Sequence, residues 1–275
     1  MTTRTTAARG AVTAAARRLE EAEATGRACE PVAELIGADD IALAYQVQQM
    51  VTRHRVERGA RLIGRKIGLT SKAVQSQVGV DQPDFGVLFG DMRYADGELI
   101  PYGRLLQPKA EAEIAFLLGR DITDVDDPRA VRDAVELALP AVEIVDSRIA
   151  DWRIGITDTV ADNASSGVFV VADDGLPLDR LEPADVTMTM RRGGEEVSAG
   201  SGRDCLGDPL NALAWLARTA IEVGSPLRAG ELVLSGALGP MAAVHPGDVF
   251  EVSIEPLGTL TARFSPARPH GKEEV

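Results

Sequence analysis

The run Lys109-Ala110-Glu111-Ala112-Glu113-Ile114-Ala115-Phe116-Leu117-Leu118 constrains the fold of this chain more than any other segment. Read as a strand, it turns Ala112, Ile114, Phe116 and Leu118 to one face, which has to be core, and Glu111 and Glu113 to the other. Ala115 and Leu117 follow on the carboxylate face, so that face is largely covered as well. Two neighbouring carboxylates on a half-buried strand repel, and one must hold a proton unless a cation lies between them. A second apolar run, Ala141-Val142-Glu143-Ile144-Val145-Asp146, also carries an acid inside it. Glu111, Glu113 and Glu143, with no histidine in either run, suit a hard cation, Mg2+ or Mn2+, rather than zinc. The same acids would equally serve as edge-strand residues facing water, and the pattern leaves both readings open.

The chain has 275 residues, enough for one or two domains, and its 45% hydrophobic content excludes general disorder. Lys and Arg number 29 against 42 Asp and Glu, a net charge of −13. Non-specific nucleic-acid binding and binding to anionic membranes are thereby disfavoured, since both need a basic face. Two cysteines, Cys29 and Cys205, exclude a disulfide framework and a four-cysteine zinc site, and fit a reducing compartment such as the cytoplasm. No apolar run approaches the length of a membrane span. Residues 1–19 hold four arginines and no acid, which suits either an amphipathic first helix or a transit peptide.

Helical periodicity marks 7–25 and 39–58, the second with Asp39 and Asp40 at the capping position and Ile41, Ala44, Tyr45, Gln48 and Val51 on one face. Further helices are expected at 128–138, opening on Pro128, and at 209–223, with Leu210, Leu213, Ala214, Ala217 and Ile221 on its apolar face and a stop at Gly224. Strands are expected at 111–118, 141–146, 166–172, 185–191, 195–199, 231–238, 248–254 and 259–264. Gly193-Gly194 marks a hairpin inside 185–199. Strands and helices do not alternate, so the class is α+β: an N-terminal helical segment, 1–60, followed by a mixed, mostly antiparallel β body, 61–268.

Lys66 sits in the Gly-flanked stretch Gly64-Arg65-Lys66-Ile67-Gly68-Leu69-Thr70-Ser71. It reads either as a snorkelling surface lysine or as a group that holds an anion or protonates an enolate. Asp84, in Val80-Asp81-Gln82-Pro83-Asp84-Phe85-Gly86, reads as a turn residue or a general base. Asp158–Gly167 is either a polar loop or the hydroxyl- and amide-rich wall of a pocket. Ser235-Gly236-Ala237-Leu238-Gly239-Pro240 is a strand-ending turn whose amides can bind a carboxylate. His54 reads as structural, His245 as a turn residue, His270 as part of a polar tail, and Cys205 as packing. No dinucleotide fingerprint, phosphate loop or zinc-protease motif is present.

Gly64–Ser71, Val80–Phe85, Glu111–Phe116, Glu143–Arg148 and Asp158–Ser165, in this order, resemble the 2-keto-4-pentenoate (2-hydroxypenta-2,4-dienoate) hydratases of the fumarylacetoacetate hydrolase superfamily. The likeness runs from about residue 35 to 265 and includes Cys205–Ala212 and Gly236–Pro240. It implies a β-roll or sandwich-like catalytic domain of that superfamily's type and a Mg2+ or Mn2+ site on Glu111, Glu113 and Glu143. It implies acid–base roles for Lys66 and Asp84, and a substrate pocket that includes Ser165, Ser235, Gly236 and Ala237. The implied activity is metal-dependent addition of water to a 2-hydroxy-2,4-dienoate in meta-cleavage degradation of aromatic compounds. A homo-oligomer is implied, with a pathway aldolase or decarboxylase as a further partner. The alternatives are a 4-oxalocrotonate-type decarboxylase, an acylpyruvate hydrolase, and a non-catalytic partner subunit. Pro83-Asp84-Phe85-Gly86 resembles the hydratase pattern, whereas the decarboxylases lack that acid.

Overall fold

A computed structural model describes residues 2–71, 75, 82–125 and 127–266. Val80, Asp81 and His270, singled out above, lie outside the described residues. The chain opens with helices α1 (Thr2–Thr25), α2 (Ala33–Ile36) and α3 (Ile41–Glu57). Val12, Ala15, Ala16 and Leu19 recur at helical spacing along α1 and are buried against Ala44 and Val47 of α3 and against Ile149, Val160 and Ala161 of the body. Residues 7–25 are thus the buried-face part of a helix that begins earlier. Asp40 supplies the α3 cap, accepting from the Leu43 N–H at 3.0 Å.

The body contains strands β1 (Leu62–Gly68), β2 (Asp84–Phe89), β3 (Arg93–Tyr94), β4 (Leu99–Ile100), β5 (Lys109–Leu118), β6 (Val135–Val145) and β7 (Ser166–Val171). It continues with β8 (Thr187–Arg192), β9 (Glu195–Ser201), β10 (Leu232–Leu234), β11 (Ala242–Ala243), β12 (Val249–Glu255) and β13 (Gly258–Phe264). Helices α4 (Pro128–Ala134), α5 (Ile156–Ala161) and α6 (Pro209–Glu222) interrupt them. One mixed sheet runs β2-β1-β10-β5-β6-β7-β3, with β11 also on β5; the second runs β4-β13-β12-β8-β9. The β8–β9 hairpin turns at Gly193 and Gly194 with φ 59° and 85°, the left-handed pair a tight hairpin requires.

The two faces of the larger sheet do different things. Ile67, Ala112, Ile114, Phe116, Val142, Ile144, Val168 and Val170 face the main core with Met188, Met190, Phe250, Val252 and Leu260 of the second sheet. The opposite face carries Ala115, Leu139, Ala141, Phe169 and Leu234 as a smaller apolar floor. Glu111, Glu113 and Glu143 continue that same face at one end, because β5 and β6 keep strict alternation there.

Three expectations are corrected. The helix expected over 128–138 ends at Ala134, and Val135–Leu139 already pairs with β5. Pro140 lies within β6, where the β7 ladder stops at Ala141 and resumes only as an Ala138–Leu176 bridge, so its missing N–H costs no ladder bond. The buried stripe of α6 is Ala212, Leu213, Leu216, Ala217 and Ala220, rotated from the expected one, and it packs into the main core. The strand expected over 231–238 ends at Leu234 and gives way to a turn with Gly236 at φ 102°. Among the described residues no helix is long and apolar enough to cross a membrane.

Candidate active site

Strand register assembles the acids. Glu111 of β5 stands directly opposite Glu143 of β6, and Glu113 opposite Ala141. Same-face neighbours along a strand and across a pair are close enough to interact. One carboxylate oxygen from each of Glu111, Glu113 and Glu143 lies within 4.8 Å of the others. Lys66 enters from β1, three places along the sheet order from β6. In a flat sheet those strands would lie about 14 Å apart, yet Lys66 Nζ is 3.3 Å from Glu143 Oε1. The sheet therefore curls, and the curl closes the carboxylates around the ammonium.

Asp84 opens β2 and pairs with Gly68 of β1. A side chain at Gly68 would meet Asp84 Oδ1 at 2.2 Å, so glycine there makes room for the acid beside Lys66. Thr159 of α5 donates its hydroxyl to Asp84 Oδ2 at 3.0 Å. Lys66 and Asp84 are 2% and 1% exposed, which removes the surface-lysine and turn readings.

Electrostatics show what this cluster lacks. Burial, then Glu143, pushes Glu111 up to about 7. Burial, with Glu143 and Glu111 beside it, holds Glu113 well above the usual carboxylate range. Burial raises Glu143 and Asp84 too, with Lys66 opposing in both cases. For Lys66, burial favours the neutral amine, but Glu143, Asp84, Glu111 and Glu113 outweigh it and keep the ammonium. Two carboxylates at this separation repel by about 3 kcal/mol at an effective dielectric of about 20. Glu113 Oε1 and Glu143 Oε2 are buried without a hydrogen-bond partner. Convergent, under-compensated oxygens with no nitrogen or sulfur donor fit a hard divalent cation.

A cavity of about 260 Å³ opens onto this cluster. Lys66, Asp84, Glu111, Thr159 and Ser165 form its polar wall, and Leu69, Val145, Trp152, Ile154 and Met241 its apolar wall. Lys109 also lines it, with Nζ 4.1 Å from the centre of the Trp152 ring. Leu69, Trp152, Ala164 and Ser165 all have left-handed backbone, φ 57°, 54°, 51° and 52°. Each such residue costs on the order of 1–3 kcal/mol, a strain typical of ligand-facing segments. Ser165 Oγ has no hydrogen-bond partner.

The Ser235–Ala237 turn stands apart from the cavity wall. The Gly236 N–H donates to Glu113 Oε2 at 2.8 Å, and the Ser235 hydroxyl engages the β5 backbone at Ile114. The turn thus braces a carboxylate. The Asp158–Gly167 stretch is helix and tight turn, in which Asp158 accepts from the Gly155 and Ala33 N–H groups. His54 pairs with Glu20, the His245 N–H is bonded to Asp248, and the Cys205 thiol donates to the Ser235 carbonyl. Lys109 and Thr159 were not singled out in the sequence, although each lies in a segment that was, Lys109 at the head of the Glu111 strand and Thr159 in the Asp158–Gly167 stretch; Trp152, Ile154 and Met241 carried no such signal.

The family model for the fumarylacetoacetate (FAA) hydrolase C-terminal region matches residues 61–265. A protein of Dechloromonas aromatica strain RCB named 2-keto-4-pentenoate hydratase 2 is 53% identical, covering 92% of this chain and 97% of its own. The chain belongs to the 2-keto-4-pentenoate hydratase family of the fumarylacetoacetate hydrolase superfamily. Another family relative, the TodF product hydratase of Pseudomonas putida strain F1, is 53% identical over 95% of this chain and 98% of its own. Among solved structures, 4-oxalocrotonate decarboxylase from Pseudomonas putida G7, complexed with magnesium and adipate, superposes with a TM-score of 0.89. It is 32% identical and covers 93% of this chain and 98% of its own. The family's fold is therefore the one described above.

Proposed function

We propose that this chain adds water to a 2-hydroxy-2,4-dienoate, such as 2-hydroxypenta-2,4-dienoate or a longer homologue, and releases a 4-hydroxy-2-oxo acid. The observation that carries the reading is the buried Lys66–Asp84 pair set against Glu111, Glu113 and Glu143 on one cavity. Hydratase relatives at 53% identity support it over the decarboxylase.

Glu111, Glu113 and Glu143 would hold Mg2+ or Mn2+. When bound, the ion supplies Lewis-acid polarisation of the substrate's 2-oxygen. Lys66, kept as an ammonium by its carboxylate neighbours, stabilises negative charge at that oxygen and relays its proton, passing one N–H proton to the Asp84 carboxylate as it takes up the one lost from the hydroxyl. Asp84, raised by burial and oriented by Thr159, carries that proton to C5, giving the 2-oxo-3-enoate. Asp84 then takes a proton from water as its oxygen adds to C4, and returns a proton to C3. The cavity's apolar wall suits the hydrocarbon end of the substrate.

Incubation with the dienoate and Mg2+, followed by mass spectrometry, should show a gain of one water that EDTA abolishes. CO2 release from a 2-oxo-enedioate, with no hydration, would transfer the chain to the decarboxylases. The reading extends to a homo-oligomer, which light scattering tests, a monomer mass overturning it, and to a pathway aldolase or decarboxylase partner, which co-elution tests.

A further inference from the structure

We infer that Arg148 is a positioning residue: one largely buried guanidinium staples both flanks of the left-handed turn that presents Ala164 and Ser165 to the cavity. The turn, Asn163-Ala164-Ser165, holds three successive non-glycine residues at φ 55°, 51° and 52°. Such backbone persists only where its surroundings over-determine it. Before the turn, the Arg148 Nη2 group donates to the Asp162 carbonyl at 2.5 Å, and Nε donates to Asp162 Oδ1. After the turn, Nη1 donates to the Ser166 carbonyl at 2.6 Å. The planar fork thus spans the bend, a geometry a point-charge ammonium does not reproduce.

The remaining restraints agree with this role. The Asn163 amide exchanges two hydrogen bonds with the Val87 backbone of β2, at 2.7 and 2.9 Å. Gly86 leaves the space for that approach, since a Cβ there would meet the Asn163 carbonyl at 2.3 Å. The Ser165 carbonyl accepts from the Asp146 N–H at 2.7 Å. Beside the guanidinium, Leu19 and Glu23 of α1 and Thr52 and Arg55 of α3 line a small pocket of about 30 Å³. The Arg148 carbonyl accepts from the Cys29 N–H at 2.8 Å. The N-terminal helices therefore pack beside the clamp, which gives the helical segment a part in shaping a cavity it does not line.

The inference rests on the hydratase reading for its turnover readout alone. Arg148→Lys keeps the charge beside Asp162 and loses the fork. It should bind Mg2+ with unchanged affinity by calorimetry while kcat falls about 10²-fold, the scale of an ångström-level misplacement. Added guanidinium should rescue Arg148→Ala and leave Ser165→Ala unrescued. Arg148→Ala combined with Ser165→Ala should be no slower than Arg148→Ala alone. Full kcat in Arg148→Lys, or independent effects in the double variant, would overturn the clamp. Amide exchange decides it without turnover: Arg148→Lys should speed exchange at 163–167 and leave β5 and β6 protected. Unchanged exchange at 163–167 would overturn the clamp as well. If the wild type hydrates no dienoate, the hydratase reading fails while the exchange result still decides the clamp.

Discussion

Lys66 Nζ lies 3.3 Å from Glu143 Oε1, with both side chains sealed from solvent, across a span that only the curl of the larger sheet makes short. The ammonium faces more carboxylate charge than it can neutralise. That imbalance gives the site its chemistry and sets the sign of several measurable effects.

Removing the ammonium should leave buried acids uncompensated. Lys66→Met is expected to destabilise the metal-free protein by about 3–5 kcal/mol, the cost of breaking a buried pair. Thermal denaturation in EDTA checks this. A midpoint equal to wild type would show that Lys66 does not balance Glu143.

Glu113→Gln should separate stability from metal binding. Gln can still accept the Gly236 N–H bond and removes a source of repulsion with Glu111 and Glu143. The metal-free variant should melt no lower than wild type. Wild type should gain about 2.7 kcal/mol at a Mg2+ concentration 100 times Kd, and the variant should lose most of that gain. An unchanged Mg2+ titration would remove Glu113 from the ligand set.

Asp84→Asn should lower turnover by about 10²–10⁴-fold, the range of one acid–base group, while Mg2+ affinity survives. Steady-state rates beside calorimetry check the split. Unaltered turnover would take Asp84 out of the proton path.

Both thiols should be inert in the folded protein. Burial pushes Cys205 up to about 12 and Cys29 up to about 11. Because the thiolate is the reactive form, at pH 8 only about one Cys29 in a thousand is reactive, and fewer Cys205. Iodoacetamide should label neither natively and both in denaturant. Rapid native labelling of Cys205 would contradict its packed position.

Local pattern carried much of this structure. Alternation along Lys109–Leu118 placed Glu111 and Glu113 on one face, and Gly193-Gly194 marked the hairpin. What escaped depended on distant partners. Val135–Leu139 is equally apolar as helix or strand, and pairing with β5 decides it. The surface reading of Lys66 stays open in the sequence and closes only because curl buries the side chain. The Ser235 turn has amides suited to a substrate carboxylate, but its Gly236 N–H is taken by Glu113, which is 123 residues away. The left-handed turn at Asn163–Ser165 carries no glycine to announce it. Arg148 ends one of the segments that carry the resemblance, but its role was not legible there, because it lies in three carbonyl and carboxylate partners.

The central claim is that Glu111, Glu113 and Glu143 hold the ion that hydration requires. The most direct test measures initial rates of 4-hydroxy-2-oxo acid formation across a Mg2+ titration, beside calorimetric Mg2+ binding, for wild type and Glu113→Gln. The expected result is one half-saturation point shared by rate and binding in wild type, with both moved together in the variant. Hydration that persists at full rate in EDTA, or binding that Glu113→Gln leaves intact, would contradict the account.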